Sequence, residues 1–139
     1  MPWCRLHYHL VWATRNREPL ITLKEEEIIH TRLRAKADEL RLVMHAVGGI
    51  EDHLHVVVSI PPALSVADCA KHLKGASARA VNQELSADSR FGWQAEYGAV
   101  TLGERSLPAA IDYVRKQREH HANGSVIEWY ETMNAKENS

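Results

Sequence analysis

Four β-forming runs and three helical patterns follow one another in the order β-α-β-β-α-β-α. Cap signatures open the helices, and Gly or Pro marks the breaks around the strands, so the pattern predicts an α+β fold. The plan that fits is the split βαβ, ferredoxin-like sandwich. It has a four-stranded antiparallel sheet with helices on one face, and here an additional C-terminal helix. At 139 residues the chain has the length of one domain, and 1–139 reads as a single unit.

Residues 5–14 (RLHYHLVWAT) are rich in β-formers and short enough for a strand. Thr22-Leu23-Lys24-Glu25 is a capping box that opens a helix, whose Ile29, Leu33, Ala37 and Leu40 recur along one face. Residues 41–50 (RLVMHAVGGI) and 52–60 (DHLHVVVSI) are two strands, with Gly48-Gly49 the expected hairpin connection and Pro61-Pro62 the stop. Ser65 to Asp68 caps a second long helix to about Leu85, interrupted by Gly75 at about 1 kcal/mol relative to Ala. Glu96 to Leu102 is a short strand. Leu107-Pro108 opens the last helix, which should run to Ala122-Asn123-Gly124.

Composition narrows the functional classes. Hydrophobic residues make up 45% and charged residues 25%, an ordinary globular balance. A net charge of −1 argues against a non-specific nucleic-acid coat. The balance is uneven: residues 1–118 carry a net +2 and residues 119–139 a net −3, so an acidic tail masks a mildly basic body. Cys4 and Cys69 form no C-x-x-C pair and suit a reducing compartment. The opening Met-Pro-Trp-Cys-Arg resembles no targeting peptide, and no apolar run nears the ~18 residues of a membrane span. A cytoplasmic protein with no membrane partner is expected. Histidine stands out, with nine copies.

Two of those histidines are two apart on a strand. His53 and His55 share a face, with Cα atoms roughly 6.5–7 Å apart, close enough for both imidazoles to reach one ion. Leu54 between them faces the core, and Asp52 can orient an imidazole. Half-exposed strand histidines are the plainer explanation, and His7-Tyr8-His9 repeats the spacing on the first strand. On the last helix (AIDYVRKQREHH), Tyr113 and Gln117 lie on one face and His120 and His121 near the same stripe. A phenol, an amide and the neighbouring Arg115, Lys116 and Arg118 suit a phosphodiester. Taken alone, an edge tyrosine and two histidines favouring the helix C-terminus explain the pattern more simply.

The combination is more specific. YHLVWATRNREPLI, GGIEDHLHVVVSIPP, WQAEYGAVTL and YVRKQREHH occur in that order along the chain. This series resembles the HUH single-tyrosine transposases, small transposases of single-strand-transposing insertion sequences, with the REP-associated tyrosine transposases as relatives. The resemblance implies that His53, His55 and Gln117 bind Mg²⁺ or Mn²⁺ and that Tyr113 is the nucleophile. It implies a nicked single strand of DNA, a released 3′-hydroxyl and a 5′-phosphotyrosine link that conserves the phosphodiester energy for strand transfer. It also implies hairpin-forming DNA partners, and a homodimer whose tyrosine helix serves the other subunit's histidines. The VIEWYETMN tail is not matched.

Lys71, Lys74 and Arg79 on the second helix, the first two sharing a face, are further candidates for phosphate contact, with a solvated surface equally consistent. Trp3, Trp12, Trp93 and Trp129 read as core or interface residues before base-stacking platforms. Two other functions compete. One is a silent relative that binds single-stranded hairpins without cutting, marked by loss of His53, His55, Tyr113 or Gln117; all four are present. The other is a ferredoxin-like RNA-binding module, which would carry aromatics where residues 53–60 carry histidines and valines.

Overall fold

Alternating side chains on β-branched and aromatic residues build the central pair of strands. In the computed structural model, which describes residues 5–85 and 90–131 without the side chains of 128 and 129, β1 is His7–Ala13 and β3 is His53–Ser59. They pair antiparallel, with Val11 opposite His55 and Ala13 opposite His53. β2 (Val43–Ile50) flanks β3, and β4 (Gly98–Leu102) flanks β1, giving the order β2-β3-β1-β4. This is the split βαβ arrangement. Trp3 and Cys4 lie outside the described residues.

The sheet is covered on both faces, so β3 is buried from His53 through Val58. Leu10, Trp12, Leu54, Val56 and Val58 face α1 (Leu23–Leu40) and α2 (Val66–Glu84). Those helices contribute Ile29, Leu33, Ala37, Cys69, Leu73 and Val81 to the main core. Both start as their caps predict. Glu25 accepts the Thr22 backbone N–H at 3.1 Å, and Ser65 Oγ accepts from the Asp68 N–H at 3.0 Å. Gly75 does not interrupt α2; it sits exposed within an unbroken helix.

The opposite face carries α3 (Leu107–Arg115), whose Ala110, Tyr113 and Val114 pack on Ala46 of β2, Val57 of β3 and Leu102 of β4. The helices thus lie on both faces, α1 and α2 on one and the tyrosine helix on the other. Two expectations change here. Gly48 and Gly49 are not the hairpin turn. They lie within β2, opposite His55 and Leu54, and the turn falls at Glu51-Asp52. The last helix is also broken at Lys116 (φ −106°, ψ 30°), giving α3 and then α4 (Gln117–Asn123). A short α5 (Glu128–Glu131) follows.

Gly48 is needed for packing rather than for turning. A Cβ built there would lie 2.0 Å from the Val114 carbonyl oxygen, because α3 rests its backbone on the strand. Gly75 has nothing within 4 Å of an added Cβ. Gly48→Ala is expected to destabilise the fold by about 1–3 kcal/mol through forced displacement. Gly75→Ala should stabilise it by about 0.5–1 kcal/mol through helix propensity. Urea denaturation of the two variants checks this, and equal effects would refute the close approach.

Candidate metal and nucleophile site

The α3 face of the sheet is where the histidines collect. Successive same-face positions on β3 are His53, His55 and Val57, and on β1 they are His7, His9 and Val11. Pairing of the strands then sets His9 against His55, with His9 Nε2 and His55 Nδ1 2.8 Å apart and the rings 4.9 Å apart. His53 Nδ1 lies 2.8 Å from Asp52 Oδ1. Asp52 therefore occupies the orienting place that the sequence suggested for it.

α3 brings Tyr113 over this face, its ring 6.0 Å from that of His55 and only 3% exposed. Gln117, one step beyond the break, is buried, and its Nε2 donates to the Tyr113 carbonyl at 3.3 Å. Its Oε1 lies 3.2 Å from His121 Nε2 on α4. The four residues singled out from sequence are thus gathered in one place, within a single chain. His120, beside them, stacks on Tyr113 with ring centroids 4.5 Å apart.

Two further groups converge there. His121 packs edge-on to His53 at 4.8 Å, and Glu131 reaches in from α5. Glu131 Oε1 is 3.1 Å from His53 Nε2, 3.1 Å from His55 Nε2 and 3.4 Å from His121 Nε2. The other carboxylate oxygen accepts the Tyr113 hydroxyl, which in turn accepts the Ile127 backbone N–H at 2.9 Å. Donor atoms of His53, His55, His121 and Glu131 all lie within 4.8 Å of one another. His53 Nε2, on a residue 1% exposed, faces the carboxylate in ion-pair range but makes no well-aligned hydrogen bond among the described residues. An inward-facing imidazole nitrogen left unsatisfied among three other donors fits a divalent cation.

Electrostatics follow from burial and from that one carboxylate. Burial, reinforced by neighbouring His55, pushes the His9 imidazole down to about 3. Burial also pushes His55 down to about 4, against the pull of Glu131. His53 is raised because Glu131 and Asp52 together outweigh its burial. Burial and the Glu131 contact push the Tyr113 phenol up to about 12. Glu131 itself is held well below the usual carboxylate range, its burial overcome by His53 and His55. Without a cation, then, the tyrosine is a firmly protonated phenol.

The basic candidates divide. Arg115 and Arg118 are exposed on either side of Lys116, and a cavity beside them is lined by Gly48, Gly49 and Gln117. Arg118 pairs with Glu26 at 2.8 Å and Glu51 at 3.0 Å, and Lys116 with Asp112 at 3.2 Å. Exposed pairs of this kind are weak and exchangeable. Lys71 is exposed on α2. Lys74 is placed otherwise: its ammonium is held by the carbonyls of Gln94, Ala95 and Glu96 at 2.5, 3.0 and 3.3 Å. It anchors the segment before β4.

The sequence assigned no role to His9 and His121, although their spacing stood out, and did not single out Glu131. The repeated H-x-H spacing on β1 was the available signal for His9, and the His-His doublet for His121. Glu131 had none.

The depressed histidines make stability pH-dependent. Below the unfolded value of about 6.5, unfolded chains protonate His9, His55 and His53, whereas the folded chain protonates only His53. Two protons therefore favour unfolding, and stability present above pH 6.5 is lost as pH falls toward 4. In chelator, the steepest loss from this site is expected near 3 kcal/mol per pH unit. His9→Asn should halve it. Urea denaturation between pH 7.5 and 4.5 tests the point, and a flat profile would contradict it.

Comparison with known proteins identifies the family of the chain. The family model described as Transposase IS200 like matches residues 3–117. The chain is 27% identical over 120 residues to the ISDra2 transposase TnpA of Deinococcus radiodurans, covering 83% of this chain and 86% of the relative. It is 24% identical over 126 residues to the transposase for insertion sequence element IS200 of Salmonella typhimurium, covering 86% and 82%. A crystal structure of a transposase candidate from Deinococcus radiodurans R1 superposes with a TM-score of 0.65 at 26% identity, covering 84% of this chain and 93% of that one. A REP-associated tyrosine transposase solved with a REP hairpin shares the fold, with a TM-score of 0.65 at 12% identity over 91% of this chain and 73% of its own. With the family model spanning most of its length, the chain belongs to the IS200-like transposase family.

Proposed function

We propose that the chain nicks and rejoins single-stranded DNA through a 5′-phosphotyrosine intermediate, using a divalent ion, Mg²⁺ or Mn²⁺, during DNA transposition. The observation that carries this reading is the meeting of Tyr113 with His53, His55 and Gln117 on one face of the sheet. A phenol, two imidazoles and an amide oxygen have little reason to share a buried pocket unless they act together.

The imidazoles of His53 and His55, with the Gln117 oxygen at the edge, would hold the cation. When bound, that ion supplies positive charge at the scissile phosphate and beside the phenol. Tyr113 Oη attacks phosphorus, a new P–O bond forms, and the P–O3′ bond breaks. The hydroxyl hydrogen is aimed at Glu131, which is placed to receive it and return it to the departing 3′-oxygen. Burial holds the phenol near 12 while Glu131 sits well below the usual carboxylate range, so this transfer is uphill until positive charge beside the phenol offsets it. Arg115, Lys116 and Arg118, and Lys71 at greater distance, supply cations for the DNA backbone.

Single-stranded, hairpin-forming DNA is the proposed partner, supported by the fold shared with the hairpin-bound relative. A homodimer with the tyrosine acting on the other subunit's histidines is what the resemblance implies; the geometry of one chain supports use of its own. Mixing Tyr113→Phe with His53→Ala chains separates these, since only sites shared between subunits recover activity. A silent hairpin-binding relative is the second reading, favoured by the buried and doubly bonded Tyr113 hydroxyl.

Labelled single-stranded hairpin DNA with Mg²⁺ or Mn²⁺ decides between them. A covalent protein–DNA adduct is expected with the wild type, none with Tyr113→Phe, and at least a ~100-fold loss with His53→Ala despite retained DNA binding. Absence of adduct from wild type favours the silent relative. Adduct that persists in EDTA excludes the metal.

A further inference from the structure

We propose that His121 and Glu131 are metal ligands, completing with His53 and His55 a site of three imidazoles and one carboxylate that selects a first-row transition ion over Mg²⁺. This rests on the reading of a divalent ion at the histidine pair and adds the ligands and the ion class. Both added residues lie beyond the segment, 3–117, that the family model matches.

Geometry is the first support. An ion with bonds of ~2.1 Å to four tetrahedral donors sets those donors ~3.4 Å apart. Glu131 Oε1 already lies 3.1, 3.1 and 3.4 Å from the Nε2 atoms of His53, His55 and His121. The orientation of the rings is the second. Asp52 holds the Nδ1 of His53 and His9 the Nδ1 of His55, so each Nε2 is turned inward. His53 Nε2, fully buried and facing Glu131, makes no well-aligned hydrogen bond among the described residues. Gln117 Oε1, 3.2 Å from His121 Nε2, stands at the rim as a further oxygen donor.

The donor set decides the ion class. Mg²⁺ demands oxygen ligands and gives up its waters reluctantly, so three imidazoles suit it poorly. Imidazole suits Zn²⁺ and its first-row neighbours; Mn²⁺ is the weakest of that series, but it gives up water for nitrogen donors more readily than Mg²⁺ does. Meanwhile Glu131 keeps its second oxygen on the Tyr113 hydroxyl, so one carboxylate would join ion and nucleophile.

Isothermal titration of the full, chelator-stripped chain with MnCl₂, ZnCl₂ and MgCl₂ tests this directly. Mn²⁺ is expected to bind at least ~100-fold more tightly than Mg²⁺, and Zn²⁺ more tightly still. Glu131→Gln and His121→Ala should each weaken Mn²⁺ at least ~10-fold, with far-UV circular dichroism unchanged. Should Glu131→Gln unfold the chain, His121→Ala, at a side chain 25% exposed, decides alone. Equal Mg²⁺ and Mn²⁺ affinity, or affinity unmoved in the folded variants, overturns the proposal. Tyr113→Phe should keep its Mn²⁺ affinity, so failure of the transferase chemistry and failure of the ligand set are read separately.

Discussion

Everything at the site depends on how closely α3 can lie on the sheet. The contact is made by backbone at Gly48, where no side chain stands between β2 and the Val114 carbonyl. Ala46 and Val57 beside it are small enough to receive Tyr113 and Val114. That seating fixes the height of the tyrosine above β3, and the break at Lys116 redirects the chain so that Gln117 and His121 turn back toward the histidines. A larger residue at 48 would lift the nucleophile and displace the α4 groups, because α4 follows directly from α3.

The polar cluster is costly to the fold. A buried donor or acceptor without a partner costs about 1–3 kcal/mol, and several imidazoles here share very few partners. His9 and His55 accept this by staying neutral, each with a proton affinity well below that of a free imidazole. Glu131 holds the remaining charge, and the raised His53 shows where a positive charge is favoured. A cation would replace that arrangement with one in which every inward-facing nitrogen has a partner.

Much of the fold was legible because its signals are local. The Thr22 and Ser65 caps, the three- and four-residue apolar steps in α1, and the β-branched run of β3 are all set by neighbouring residues. Gly48-Gly49 was misread as a turn for the same reason. Glycine marks turns by conformational freedom, but here it serves a helix more than sixty residues later in the chain. The break at Lys116 was equally hidden, since residues 109–123 contain no Gly or Pro to announce it.

The site divides along the same line. His53 and His55 were readable because two-residue spacing on a strand dictates a shared face; Tyr113 and Gln117 fall on either side of the Lys116 break, and Gln117 still bonds back to the Tyr113 carbonyl. Sequence by itself therefore determined which way the strand histidines face, but not where β2 turns or the last helix breaks. It also set the order of strands and helices that identified the plan of the fold. Which elements meet was decided only by tertiary structure: α3 across from α1 and α2, His9 against His55, and Glu131 brought from the chain's far end onto three imidazoles. The physical reason is that facing direction follows from backbone periodicity, whereas convergence of distant side chains follows from packing, and Glu131 carries no periodic signal of where its carboxylate will lie.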